Sequence, residues 1–357
     1  MSTKTNALLI FSPAFAADET DTAWLPSLQN FVRALNKNFP QLKVIVFAFQ
    51  YPHSDQKYNW HKTEVIPFNG LHKNKASRLM MWAKIFIHVR QIKRSHEVLG
   101  ILSMWCTECA FVGKYAARFF ELIHFCWVVG QDARAANRYV KRIRPQPSSL
   151  ITISDFLVDE FYKNHRIKPR YVIPMGIDIS LFAPQAKKDI DVIGAGSLSR
   201  LKQYHLFVEI VAKLKKNFPG LRAMLCGDGE DRNRIEEMIR QHSIEEYVAL
   251  TGHIPYAEVL NLMQRSKILL HPSSYEGFGM VCLEALYAGA HVISFTQPMH
   301  HDIKNWHVVK TTDEMQAKAS ELLASSNTVY EAVLVYSMDD TAKAIISLFG
   351  YGGTPDR

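Results

Sequence analysis

The chain has 357 residues, too long for one typical domain and sufficient for two. It is 48% hydrophobic and 21% charged, as expected of a globular protein, and no apolar run reaches the roughly 18 residues that span a bilayer. The net charge of +8 is uneven: residues 1–180 carry 24 Lys and Arg against 13 Asp and Glu, and residues 181–357 carry 18 against 21. A basic first half and a mildly acidic second half suggest two domains with different partners, the first suited to nucleic acid, anionic lipid or acidic substrates. Five cysteines without framework spacing indicate a reducing compartment. Cys106-Thr-Glu-Cys109 is a lone pair, so packing is favoured for it over zinc or redox chemistry.

Ala7–Ser12 reads as a buried first strand. Lys4, the apolar run after it and Ala14-Phe-Ala16 imitate a leader with a cleavage site, but Pro13 interrupts a short apolar core, and the strand explains it better. A helix is expected over 22–39 and a strand over 44–49, making a strand-helix-strand unit. The turn Pro13–Asp21 contains no glycine. The dinucleotide fingerprint is therefore missing, which argues against a nicotinamide or flavin enzyme. Lys75–Arg94 has the period of a helix, with an apolar stripe at Leu79, Trp82, Ala83, Phe86 and Val89. Lys73, Lys75, Arg78, Lys84, Arg90, Lys93 and Arg94 supply its charge. Such a helix can lie on an anionic membrane. The plainer expectation is that the stripe faces its own sheet.

Strands follow at 99–103, 124–129, 150–154 and 171–174, with helices at 109–120 and 155–164, the latter capped by Ser154. Asp132, in the turn 130–134, has two readings: contact with a substrate hydroxyl, or a cap. Leu181–Asp189, with Pro184 and Lys187-Lys188, reads as a linker. The alternation then restarts, with strands at 191–195, 221–226, 248–250, 268–270 and 291–294. Helices are expected at 205–218, 231–242, 258–265, 280–287, 312–325 and 339–349. The result is two successive α/β domains.

The second half carries the chemistry. Gly196-Ser-Leu-Ser-Arg-Leu-Lys202 joins a strand to a helix, and Arg200 and Lys202 offer a fork and a point charge to a pyrophosphate. In Pro272–Gly279 the glycines Gly277 and Gly279 allow close backbone approach, and the next helix start suits a phosphate. Glu276 and Glu284 stand eight apart, one in that loop and one in the helix, which Gly289 is placed to end. His300-His-Asp302 has metal-ligand residue types without a partner pattern. No nucleophile elbow is present.

On these residues the sequence resembles the retaining glycosyltransferases of the GT-B fold, the large family-four group, most strongly over 150–294. "ITISDFLVDEF", "VIPMGID", "GAGSLSRLKQ", "LCGDGED", "LTGHIPYAEVLNLM" and "PSSYEGFGMVCLEALYAGAHVIS" carry the likeness. Lys202 falls on the family's lysine, while Ser197 stands where an arginine is usual. The resemblance implies two Rossmann-like α/β domains facing a cleft. Their expected bounds are 1–183 for the acceptor side and 184–338 for the nucleotide-sugar donor side, with a return helix over 339–357. It implies Glu284 on the ribose hydroxyls, Glu276 by the transferred sugar, and Lys202 and Arg200 against the leaving diphosphate. Donor contacts are implied at Gly196, Ser197, Ile254, Gly277, Phe278 and Gly279. No metal and no cofactor are implied. Asp189-Ile-Asp191 matches the metal motif of another class of sugar transferases but precedes its strand, at the wrong end of the sheet.

The implied reaction is transfer of a UDP- or GDP-linked sugar, with retention, to a glycan or lipid-linked acceptor. The implied place is cytoplasmic, with peripheral contact to anionic lipid at the inner face of the plasma membrane. No nucleic-acid motif accompanies the basic half. Three departures stand against the pattern: the glycine-free first turn, Val128-Val-Gly-Gln-Asp132 where a histidine is common, and 295–302 in place of a glycine-rich loop. They keep two alternatives in view, an epimerase or phosphorylase of the same fold and a non-catalytic sugar-nucleotide or glycan binder.

Overall fold

The computed structural model describes residues 4–22, 24–71, 74–183 and 186–352. Of these, residues up to Asp178 together with those from Ser337 onward form one unit, and Ile179–Tyr336 form the other. The expected boundaries were 183/184 and 338/339. Pro184 of the expected linker and Lys73 of the expected basic helix lie outside the described residues.

The first unit contains strands β1 (Asn6–Ala14), β2 (Lys43–Tyr51), β3 (Tyr58–Trp60), β4 (Thr63–Pro67), β5 (Glu97–Met104), β6 (Ile123–Val128), β7 (Leu150–Thr152) and β8 (Tyr171–Val172). Its helices are α1 (Pro26–Asn38), α2 (Lys75–Ser95), α3 (Glu108–Phe120), α4 (Arg138–Ile143) and α5 (Asp155–His165). The sheet order is β3-β4-β2-β1-β5-β6-β7-β8, and only β3 runs antiparallel to its neighbour. Near-continuous apolar runs such as Ala7–Phe11 and Val44–Phe49 are fully buried, as a sheet covered on both faces requires.

Helix α1 starts four residues later than expected. Leu25 sits in the left-handed region at φ 52°, and Asp18 and Asp21 accept backbone N–H bonds that hold the preceding segment as turns. Ser154 caps α5 through the Leu157 N–H. The short β3, β4 and α4 carry too few periodic residues to register in sequence.

The expected stripe of α2 is corrected. Its buried face is Met81, Ile85, Val89 and Ile92, whereas Leu79 is 60% exposed and Ala83 is also exposed. Only Val89 belongs to both sets. Cys106 and Cys109 are buried free thiols, in keeping with packing.

The second unit contains β9 (Ile190–Ala195), β10 (Ala223–Cys226), β11 (Val248–Gly252), β12 (Ser266–His271), β13 (His291–Ser294) and β14 (Trp306–Val308). Its helices are α6 (Tyr204–Leu214), α7 (Arg232–Gln241), α8 (Tyr256–Arg265), α9 (Met280–Tyr287) and α10 (Thr312–Ala324). The order β11-β10-β9-β12-β13-β14 is parallel throughout. This is the doubly wound arrangement, in which strand order reverses between β9 and β12. Gly289, at φ 79°, ends α9, and Ala290 N–H returns to the Ala285 carbonyl.

Finally α11 (Met338–Ser347) packs on α1 in the first unit. Thr341 fastens it: its hydroxyl accepts from Gly176 N–H and donates to the Pro174 carbonyl. Among the described residues no helix is long and apolar enough to cross a membrane.

Candidate active site

Chain reversal between β9 and β12 leaves a crevice at the carboxyl ends of the two strands, where open α/β sheets take ligands. β9 delivers the loop 196–203 there, and β12 delivers the loop 272–279. Both loops are tied down by backbone bonds. Leu198 N–H reaches the Asp228 carbonyl at 2.9 Å, and Asp231 N–H returns to the Leu198 carbonyl at 3.0 Å. A Cβ on Gly227 would lie 1.9 Å from the Gly196 oxygen, so only glycine lets this turn seat on the loop. Across the crevice, Ser274 N–H donates to the Leu201 carbonyl at 3.0 Å and its hydroxyl at 3.2 Å.

This bracing sets Lys202 against Glu276. Lys202 Nζ lies 2.5 Å from Glu276 Oε1, and both side chains are largely buried, at 20% and 14% exposure. The same oxygen accepts from Ser273 Oγ at 2.7 Å and pairs with His271 Nε2 at 3.0 Å. His271 Nδ1 is buried without a partner among the described residues. The proton of a neutral ring therefore belongs on Nε2, where it donates to the carboxylate. Burial lowers the His271 pKa, and the bond to Glu276 only partly opposes this.

Burial alone would raise the Glu276 pKa. The His271 hydrogen bond and the Lys202 charge outweigh it and hold the carboxyl at about 2. Glu276 is thus an ionised acceptor at neutral pH, unsuited to moving a proton there.

Glu284 lies within α9. Burial raises its pKa, partly offset by the Tyr256 hydroxyl, which donates to Oε1 at 2.7 Å. Neither Glu276 Oε2 nor Glu284 Oε2 accepts a hydrogen bond from the described residues. Gly279, left-handed at φ 89°, stands at the N-cap of α9 with no side chain to satisfy the first-turn N–H groups.

The sequence-derived site residues divide into those brought together and those apart. Gly196 borders Lys202: a Cβ there would stand 3.7 Å from Lys202 Cε. Gly277, Phe278 and Gly279 are buried in the Glu276 loop, and the Phe278 ring packs edge-on against Trp306 and Tyr336. Ser197 and Arg200 are exposed, and Arg200 makes no ion pair with the described residues. Ile254 stands half-buried before α8.

Sequence reasoning gave no role to His271, Ser273 or Tyr256. The first two were legible as polar residues five and three before Glu276 at a strand end. Tyr256, distant in sequence from Glu284, had no local signal.

Three other motifs resolve structurally. Asp132 accepts backbone N–H bonds from Cys106, Gly130 and Val129, tying its own turn to the segment after β5, while the next helix, α4, is capped by Asn137 and not by Asp132. Asp189 takes a bidentate bond from Arg265, and Asp191 pairs with Lys267, at the amino end of β9. His300, His301 and Asp302 are exposed, and among the described residues no three His, Cys, Asp or Glu side chains are grouped to hold a metal.

Residues 179–331 match the family model described as glycosyl transferases group 1. Over 147 residues the chain is 31% identical to the UDP-N-acetylglucosamine–peptide N-acetylglucosaminyltransferase GtfA subunit of Streptococcus pneumoniae, covering 41% of this chain and 29% of that relative. It is 27% identical over 177 residues to a glycogen synthase of Mycobacterium tuberculosis, covering 48% and 43%. The chain thus spans less than half the length of these curated relatives.

Among solved structures, TarM superposes with a TM-score of 0.72 at 12% identity over 96% of this chain and 98% of that one. HepE of Anabaena, crystallised with UDP and glucose, gives 0.64 at 16% identity over 95% and 94%. At such identity the likeness shows the fold alone, which is GT-B.

Proposed function

We propose that this chain, whose residues 179–331 belong to the glycosyl transferases group 1, moves a sugar from a nucleotide-linked donor to a glycan or lipid-linked acceptor with retention. The observation that carries this reading is the Lys202–Glu276 pair at the strand reversal, with Glu284 one helix turn beyond the loop.

A departing nucleoside diphosphate gathers negative charge. Lys202 and the α9 N-terminus supply fixed positive charge against it, and Arg200 adds a flexible guanidinium from the same loop. Ser197 and Gly196 line the approach. The free oxygen of Glu276 suits a sugar hydroxyl, and that of Glu284 suits the ribose. Ile254 and the backbone of 277–279 complete the donor side. The relative named for UDP-N-acetylglucosamine supports a UDP-linked donor, with GDP as the alternative.

A thermal-shift panel of UDP- and GDP-sugars, followed by an assay for transfer or hydrolysis, tests the proposal, because ligand binding to the native state raises apparent stability. No shift with any donor, together with no effect of Glu284→Ala, sinks it. The rival reading, a non-catalytic binder, draws on the closed first turn: Phe15 there is fully buried against Trp60. A donor-induced shift without turnover on any acceptor favours that rival.

The finer reading of partners is peripheral contact with anionic lipid at the cytoplasmic face of a membrane. It is supported by the basic first half of the chain.

A further inference from the structure

Helix α2 is apolar on two sides. Met81, Ile85, Val89 and Ile92 pack onto the sheet. Leu79 and Met80 are 60% and 61% exposed and Ile87 is 55% exposed, on the opposite face. The neighbouring helix α3 continues this surface with Tyr115 at 44% and Phe119 at 71% exposure. Between the two helices an apolar hollow of about 240 Å³ is lined by Trp82, Phe86, Phe111, Val112 and Tyr115. Single exposed apolar residues are ordinary, but a contiguous set on two adjacent helices marks an interaction surface.

The charge around this patch names the partner. α2 carries six Lys and Arg and no Asp or Glu within KASRLMMWAKIFIHVRQIKRS. Lys84, Arg90 and Arg94 are exposed on it, and Arg118 is exposed on α3. The acid of α3, Glu108, is buried and consumed by Arg78 in a two-pronged pair and by the Trp82 indole N–H. The exposed acids next along the chain, Glu97 and Glu121, lie outside both helices.

Aliphatic and aromatic side chains rimmed by unneutralised cations complement one surface above others: the headgroup layer of an anionic bilayer. There the rings and aliphatic tips enter the acyl boundary while Lys and Arg meet the phosphates. We infer that the outward faces of α2 and α3 form a bilayer-docking surface for anionic lipid. This deepens the membrane contact proposed above and does not depend on the transfer reaction.

The test is co-sedimentation of the full chain with vesicles of phosphatidylcholine alone and of phosphatidylcholine with phosphatidylglycerol, at low and high salt. The expected result is pelleting with the anionic vesicles only, weakened by salt. Paired changes Leu79→Glu with Ile87→Glu abolish pelleting. Arg90→Gln with Arg94→Gln weakens it about twenty-five-fold, at about fivefold per charge removed. Val329→Glu, an exposed apolar position in the second unit, leaves it unchanged. All five positions are exposed, so thermal melting and donor-induced shifts stay at wild-type values, and loss of docking is read separately from loss of donor binding.

Equal pelleting of the Leu79→Glu, Ile87→Glu protein and wild type overturns the inference. So does absence of wild-type binding to any vesicle. A dimer in solution that the same pair of changes dissociates, without vesicle binding, assigns the face to a second copy of the chain instead.

Discussion

Both units are doubly wound sheets, and each reverses strand order once, between β1 and β5 in the first and between β9 and β12 in the second. The same topology gives opposite surfaces. In the first unit the reversal is filled: Phe15 and Ala16 after β1 are fully buried, and Cys106 after β5 is bonded to Asp132. In the second unit it is furnished with Lys202, Glu276 and unspent carboxylate oxygens. Topology supplies the crevice, and glycines and charges in the two loops decide whether a ligand can use it. Glycine-free Pro13–Asp21 puts buried Phe15 and Ala16 at one reversal; at the other, Gly196 and Gly279 take positive φ beside Lys202 and Glu276.

The largest expected effect breaks the open side. Gly227→Ala forces a Cβ against the Gly196 oxygen at a φ of 133°, so both overpacking and backbone strain apply, about 3–5 kcal/mol together. Melting should fall sharply and the donor-induced shift should vanish. A variant that melts like wild type and binds donor normally would detach the Gly227 turn from the site.

The matching change on the filled side is Asp132→Ala. It leaves the N–H groups of Cys106, Gly130 and Val129 without their acceptor, for a loss of about 2–4 kcal/mol. Stability should drop while donor affinity of the surviving folded protein stays the same. Weakened donor or acceptor binding instead revives the substrate-contact reading of Asp132.

Next comes Lys202→Ala. It removes a charged hydrogen bond to the diphosphate and should weaken donor binding by about 1.5–3 kcal/mol, measured by calorimetric titration. His271 and Ser273 continue to hold Glu276, so melting should change less than affinity. Equal affinity in variant and wild type removes Lys202 from the donor site.

The two units also differ in how much the sequence disclosed. The second unit was legible because its strands are short and apolar, and because the loops after β9 and β12 join glycine to charge at the strand ends. Lys202 and Glu276 are brought together by loop bracing that a reader of Gly196–Lys202 and Pro272–Gly279 can anticipate. The first unit was less legible. α2 carries two overlapping apolar sets at spacings of three and four, and periodicity cannot say which faces the sheet. The stripe through Leu79 and Trp82 satisfied the pattern, yet the face through Met81 and Ile85 packs. The β3–β4 hairpin and β14 are too short to show a period, and the pairing of Tyr256 with Glu284 is set by tertiary approach alone.

The smallest effect sharpens the comparison within the second unit's crevice, since its two carboxylates have pKa values shifted in opposite directions. Glu276 has its pKa depressed to about 2 against an ordinary 4.5. Its stabilisation is complete above pH 4.5 and is lost as pH falls toward 2, at no more than about 1.4 kcal/mol per pH unit. Glu284 has its pKa raised by burial, so its ionised form costs stability at neutral pH and protonation relieves that cost as pH falls through the raised value.

Melting temperatures between pH 7 and pH 3 should therefore respond differently to the two amides. Glu276→Gln should flatten the acid decline, because the group whose protonation drives it is gone. Glu284→Gln should raise stability most at neutral pH and converge on wild type in acid. Parallel curves for wild type and both variants would mean that neither carboxylate is held as its neighbours imply, and Glu276 would then be free to exchange protons with a substrate.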